Sequence, residues 1–359
     1  MFIERPHIDD VLSICSHDHL NLLLIAENTE IDIDQLVKKA DEQGYSIAGG
    51  IFPGLLYNTG RLDYGVLLVR MDKASKTILQ TQISRPEIYK QLEPLGDEYQ
   101  SALIWLDGLS SGIPSYLEHI YRHYGNGLNY IGGGCGSLSL KSQPCVFDNS
   151  GFYEDAGLLI AMPNKITLGV KHGWKKIAGP FLVNQSEGNR LGQINWESAF
   201  NIYKQEVDKY SRQPLTKDDF FDVAKGFPFG IFRQGYEDIV RDPILTEDEK
   251  TLTCVGAIES NTFVNVLKGD PDNLIGCAKE AAEAAFIENV NSSLVVDCIS
   301  RTLFLEDRYT EELEVVHNKL KTLNSNIGLR GVLSLGEISS HGDGYLEFLN
   351  KTIVVAGIS

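Results

Sequence analysis

The sequence predicts an α+β protein of two domains, with mixed and antiparallel sheets flanked by helices. Three observations predict it. Apolar strand-like runs and amphipathic helical stretches recur three times in the order β-α-β-β. The 34 glycines imply many tight turns between short elements. The 359 residues exceed one ordinary small core, and 43% of them are hydrophobic, enough apolar surface for two.

The first stretch has a strand from Leu22 to Ala26 and a helix opening near Asp34 as N-cap. Leu36, Val37 and Ala40 make that helix's apolar face, and Gly44 closes it. Ile47 to Leu56 and Tyr64 to Met71 are expected to pair, with Tyr57-Asn58-Thr59-Gly60 turning between them. In the second, a strand from Ala102 to Leu106 leads to a helix opening at Pro114 and stopped by Gly125. Leu117, Ile120, Tyr121 and Tyr124 line its apolar face, and Gly132 to Gly136 and Gly157 to Met162 follow. In the third, a strand from Ser293 to Ile299 precedes a helix starting around Thr310, with face Leu313, Val316, Leu320 and Leu323. Gly331 to Ile338 and Tyr345 to Ile358 complete it. The β-α-β-β pattern reads as a weak internal repeat, resting on element order rather than residue identity. A boundary between Gln193 and Asn201 gives domains 1–195 and 196–359.

The net charge of −17 repels phosphate backbones and anionic lipid, so neither nucleic acid nor a membrane is an expected partner. No apolar run is long enough to span a bilayer, and the N-terminal residues lack the order of a signal peptide. The six cysteines form no C-x-x-C pair and sit mostly among apolar residues, as reduced thiols do. The expected location is the cytoplasm.

Several motifs suggest chemistry. Gly132-Gly133-Gly134-Cys135-Gly136 lacks the Gly-Lys-Ser/Thr ending of a phosphate loop, and close strand packing explains it better. Gly331 to Gly336 has one residue too many for a nucleophile elbow. His119 and His123 share a helical face, and Cys15, His17 and His19 alternate, but neither set has companion ligands, so no metal is expected. His172, in His172-Gly173-Trp174 after a strand, is either a turn histidine or an axial haem ligand.

Arg301 leaves an apolar strand three residues after Cys298. Positions three apart face opposite sides of a strand, so the strand must break between them if both serve one pocket. A guanidinium cannot shed its charge, so Arg301 needs an anionic partner. That partner is structural, such as Glu337 or Asp297, or it is a ligand carboxylate. Arg241, after the strand-like Tyr236 to Val240, poses the same choice. An enzyme would use Cys298 as nucleophile beside Arg301, but no histidine is assignable as its base, so the chain reads as a non-enzyme.

These residues also carry a resemblance. Gly331-Val332-Leu333-Ser334-Leu335-Gly336-Glu337-Ile338 with Leu349-Asn350-Lys351-Thr352, Cys298-x-x-Arg301, Glu311-Glu312 and Phe227-Pro228-Phe229-Gly230 resemble the C-terminal half of the FIST domain. Gly132 to Gly134 through Asp155-Ala156-Gly157, then His172-Gly173-Trp174 and Gly188-Asn189-Arg190-Leu191, resemble the N-terminal half and the join. Asn184, where many relatives read Thr, and the short turn Ser339 to Gly344 are departures, the second implying a smaller pocket rim. The resemblance implies a sensor of a small molecule, with amino acids as the suggested class. On it, Arg301 and Arg241 hold an anionic group, Glu337 receives an amino group, Asn350 orients the ligand and Cys298 lies beside them. It also implies signalling through a separate protein, such as a histidine kinase or cyclase. A stand-alone branch of the family that binds haem and senses nitric oxide makes His172 its axial ligand here.

Overall fold

The computed structural model describes residues 1–286, 290–341 and 345–359, and it belongs to the α+β class. Three of its sheets follow one plan. In each, a central strand is followed by a helix and then by a strand parallel to it. A later strand pairs antiparallel along the central strand's other edge, and an edge strand from earlier in the chain flanks that one.

In the first sheet the central strand is His19–Ala26, with Ile47–Phe52 parallel and Val66–Asp72 antiparallel. In the second it is Ser101–Asp107, with Asn129–Cys135 parallel and Ala156–Met162 antiparallel. In the third it is Ser292–Cys298, with Arg330–Ser334 parallel and Ile353–Ile358 antiparallel. The edge strands are Phe2–Ile3, Lys76–Thr81 and Ile166–Lys171. The repeat reaches single residues. Gly49, Gly132 and Gly331 stand opposite Leu23, Ile104 and Val295. A Cβ on these glycines would lie 2.0, 1.8 and 1.8 Å from the carbonyl oxygen of that partner, so no side chain fits at any of the three.

Each unit also sends a hairpin into another unit's sheet. Gly54–Tyr57 with Gly60–Leu62 pairs onto Arg330–Ser334 of the third. Val146–Asp148 with Gly151–Tyr153 pairs onto Ile47–Phe52 of the first. Glu337–His341 with Tyr345–Leu349 pairs onto Asn129–Cys135 of the second. The exchange runs in a closed cycle. The expected pairing of Ile47 to Leu56 with Tyr64 to Met71 is thereby corrected. The run splits at Pro53, which has no N–H for a ladder, and its second half leaves for another sheet.

Inner faces of the three sheets meet in one core that contains Leu24, Trp105, Ile160, Val296 and Val354. Helices cover the outer faces. Ile33–Glu42 packs Leu36, Val37 and Ala40 on the first sheet, capped by Asp32 rather than Asp34, whose carboxylate accepts from the Gln35 N–H at 3.0 Å. Ile113–Tyr124 covers the second with Leu117 and Ile120. Pro271–Ala284 and Tyr309–Leu323 cover the third, meeting through Ala278, Ala282, Leu313 and Val316.

Residues 175–268 are an insertion between the edge and central strands of the third unit. Strands Lys175–Glu187, Phe263–Lys268, Phe229–Ile231, Ile239–Leu245, Leu252–Val255 and Arg190–Ile194 pair in that order. Lys175–Glu187 then pairs with Arg190–Ile194 and closes them into an antiparallel barrel. Helix Ala199–Val207 packs Phe200 and Tyr203 into the barrel's own core with Val183 and Phe229. The sheets thus divide the chain as a three-sheet core and an inserted barrel, and the sequence boundary at 195/196 runs through the barrel. Part of the turn Ser339 to Gly344, residues 342–344, lies outside the described residues.

Candidate functional site

The chain crosses between core and barrel twice, at 172–174 and at 269–270, and a cleft of about 310 Å³ lies at that double crossing. His172, Gly173, Trp174, Lys175 and Lys176 line it from the first crossing. Leu267, Asn273 and Cys277 line it around the second, and Glu237 and Asp238 from a barrel loop complete the wall.

His172 is the buried polar group of this cleft, only 7% exposed. Its Nδ1 accepts from the Trp174 N–H at 2.9 Å, so the neutral ring carries its proton on Nε2. Among the described residues that Nε2 has no hydrogen-bond partner, and it lies 4.0 Å from Glu237 Oε2. Burial lowers the His172 pKa, against the pull of Glu237, so the ring is a neutral donor at physiological pH. Lys171 Nζ donates to Glu237 Oε1 at 3.2 Å, and Asn265 Nδ2 donates to Asp238 Oδ2 at 2.6 Å. Lysines and carboxylates thus ring a neutral N–H donor.

Arg301 holds this cleft from behind. The strand ends at Cys298, one residue before the expected Ile299, and helix Ile299–Leu305 begins at once, so the chain does break between Cys298 and Arg301 although the two do not share a ligand pocket. Arg301 is fully buried, and all five of its N–H groups have protein acceptors. Nε and Nη2 donate to the two oxygens of Glu312 at 3.2 and 2.5 Å. Nη1 donates to His172 O at 2.6 Å and Lys351 O at 3.3 Å, and Nη2 also donates to Leu274 O. Asp297 Oδ1 lies 3.4 Å from Nε. Burial opposes the arginine's charge, but Glu312 and Asp297 overcome it and raise its pKa. The choice posed for Arg301 therefore has a structural answer. Its anionic partner is Glu312, with the carboxyl of Asp297, which burial and Glu312 drive well above its usual range, close by; Glu337 is not a partner, and no N–H is left for a ligand.

Cys298, Glu337 and Asn350 come together beside it in a solid polar core. Glu337 Oε1 accepts from Ser334 Oγ at 2.9 Å and Oε2 from the Thr352 N–H at 3.1 Å. Burial drives the Glu337 carboxyl well above its usual range. It also drives the Cys298 thiol well up, with Glu337 adding to the effect, the opposite of a reactive thiolate. Asn350 Oδ1 is buried without a partner among the described residues. None of these three lines the cleft.

Lys351, also fully buried, reaches from the core to the barrel. Its Nζ donates to Lys225 O at 2.9 Å and lies 3.1 Å from Asp242 Oδ2. The Lys351–Asp242 contact is a buried ion pair by distance. The ammonium sits 4.9 Å above the Trp174 ring, whose Nε1–H donates to Lys351 O at 3.0 Å.

The haem reading of His172 does not fit. An axial ligand offers the Nε2 lone pair and donates through Nδ1–H to an acceptor. Here the Trp174 N–H already points at Nδ1, so moving the proton there would set two donors against each other. Among the described residues, no group of three His, Cys, Asp or Glu side chains could hold a metal ion. His119 Nε2 instead meets Lys90 O, and His17 stacks on Tyr45.

Sequence reasoning missed Glu237, Asp238 and Cys277 in the cleft, and Glu312, Lys351 and Asp242 behind it. Glu237 and Asp238 had been read as part of a strand, although two adjacent acids before Ile239-Val240 mark its exposed start.

Two family profiles match the chain, the FIST N domain over residues 11–197 and the FIST C domain over residues 199–340. A search of curated proteins found no match. Residues 172–176 of the cleft lie in the first region, and Glu237 to Cys277 lie in the second.

Proposed function

As the chain belongs to the FIST family, whose domains are sensors in signal transduction, we propose that its ligand binds in the cleft at His172 and biases how the barrel sits on the core. One observation carries this reading: the cleft lies where both crossings of the chain meet, walled by residues of both family regions. A molecule bound there contacts core and barrel together, the requirement for a ligand that biases a two-state arrangement.

The ligand we propose is amino-acid-like. Lys175 and Lys176 offer cations for a carboxylate, Glu237 and Asp238 offer anions for an ammonium, and His172 Nε2–H offers a neutral donor. A volume of about 310 Å³ is at the small end of ligand sites, which suits a metabolite of that size. Recognition needs no bond chemistry. The six cysteines are free thiols, in keeping with a cytoplasmic protein that signals through a separate partner such as a histidine kinase or cyclase.

A thermal-shift panel of the twenty amino acids tests this. A ligand at a hundred times its Kd stabilises the native state by about 2.7 kcal/mol, enough for a clear rise in Tm. His172→Ala and Glu237→Gln should each abolish the rise. A panel with no responder, or a response untouched by both variants, would overturn the assignment.

A further inference from the structure

We propose that an apolar patch on the barrel, led by Trp196, is the docking surface for a separate protein that offers an apolar groove rimmed by lysine and arginine. Ile194 pairs with Glu197 between strands Arg190–Ile194 and Glu197–Ser198, so Asn195 and Trp196 are the whole turn. Both are left-handed, at φ +50° and +65°, the conformation an Asn-Gly pair ordinarily supplies. A bulky side chain in the second position is strained, and this one is 73% exposed, so burial does not offset the strain. The turn is held all the same. The Asn195 N–H donates to Leu182 O at 2.8 Å, Asn195 Oδ1 accepts from the Leu182 N–H at 2.9 Å, and Asn184 Oδ1 accepts from the Trp196 N–H at 2.7 Å. An indole fixed outward in this way is pre-organised for a partner's pocket.

The patch continues along the barrel wall. Val183 and Val264 belong to the barrel's core, so Leu182 and Phe263, one residue along and opposite each other, face outward. The Phe232 N–H donates to Phe263 O at 2.9 Å and places Phe232 beside it, exposed as Phe263 is. Trp196, Leu182, Phe263 and Phe232 thus follow one another across neighbouring strands, an exposed apolar run of the kind that marks an interaction site. The charge around it selects the occupant. Glu197 and Glu259 are exposed in the segments that carry Trp196 and Phe263, and the exposed, mostly acidic turn Glu247-Asp248-Glu249-Lys250 adjoins Ser198, whose Oγ donates to Lys250 O at 3.0 Å. Two arginines of the barrel are spent on the core instead. Arg233 pairs with Glu347 at 2.8 Å, and Arg241, which does not line the cleft, donates to Ala257 O, Val240 O and Phe348 O. The net charge of −17 opposes a second copy of this chain and favours a basic partner.

The full chain with Phe263 replaced by the photo-crosslinker p-benzoylphenylalanine, irradiated in its own cells, captures the occupant for identification. The purified occupant is then titrated by calorimetry with the unaltered chain and with Trp196→Gly. Its Kd should weaken as sodium chloride rises, and should weaken about tenfold or more in the variant. The same variant should keep or raise its urea midpoint, read by circular dichroism, because glycine takes the left-handed turn without strain. No small molecule enters these measurements, so the surface stands or falls apart from the cleft. Capture of nothing or of a second copy, a Kd indifferent to salt, or a Kd untouched by Trp196→Gly would overturn the proposal. So would a lowered urea midpoint or a failure to fold in Trp196→Gly, which would make the indole part of the fold.

Discussion

Replacing Arg301 by Met keeps the stem's volume and removes the guanidinium. The change takes five hydrogen bonds with it: two to Glu312, one each to His172 O, Lys351 O and Leu274 O. Breaking one side of a buried ion pair costs about 3–5 kcal/mol, because the other charge stays buried. Lys351 O keeps the Trp174 Nε1 donor, so two carbonyls lose a side-chain partner, at about 1 kcal/mol each. The total is about 5–7 kcal/mol, a large fraction of a typical domain's stability. Urea denaturation followed by tryptophan fluorescence measures it, since Trp174 sits in the same frame. Arg301→Met/Glu312→Met, which also removes the stranded carboxylate, should recover about 3 kcal/mol. If Arg301→Met costs less than about 1 kcal/mol, the guanidinium is not holding the frame, and a ligand role for Arg301 returns.

Lys351→Met should destabilise by about 3–5 kcal/mol by stranding Asp242, and Lys351→Met/Asp242→Asn should recover most of it in the same assay. Glu337 holds its proton more tightly in the native state than in the unfolded chain, where its value is near 4.5. Its contribution is therefore fullest below that value and is lost as pH rises toward the native one. Glu337→Gln should remove this dependence, whose ceiling is about 1.4 kcal/mol per pH unit, in denaturation curves across pH 5 to 9. Gly132→Ala should cost about 3 kcal/mol, because its Cβ would meet Ile104 O at 1.8 Å, and a smaller cost would mean the two strands can part. Iodoacetamide should label the half-buried Cys277 and spare Cys298 in the native protein, as peptide mass spectrometry would read.

Much of the core was legible because its signals are local. Each β-α-β run lies within about forty residues, with apolar faces at helical spacing and glycines at the ends. What stayed hidden is non-local. Nothing near Gly54 announces that it pairs with Leu333, or near Glu337 that it pairs with Gly133. Helix Pro271–Ala284 went unread although Asp270 and Pro271 make a clear N-terminus. Arg301 was taken to need an anion, but Glu312 was read only as part of the family-like pair Glu311-Glu312 and not as its partner. Choosing among candidate partners required the fold. His172 was singled out from its turn and its aromatic neighbour, and the structure places it in the cleft with its Nδ1 taken by the Trp174 N–H, which does not fit the haem reading.

The exchanged hairpins limit which parts can move. Every sheet of the core holds two strands lent by another unit, so no unit can swing, slide or melt without tearing a second sheet apart. Interlocked in a ring, the three units behave mechanically as one solid block, with strand pairs closed over hundreds of residues and a slow assembly to match. A signal that depends on shape cannot arise inside such a block. The barrel shares none of these sheets: it joins the core through two short strips of chain and through side chains such as Lys351 and Arg233, and the cleft lies beside those strips.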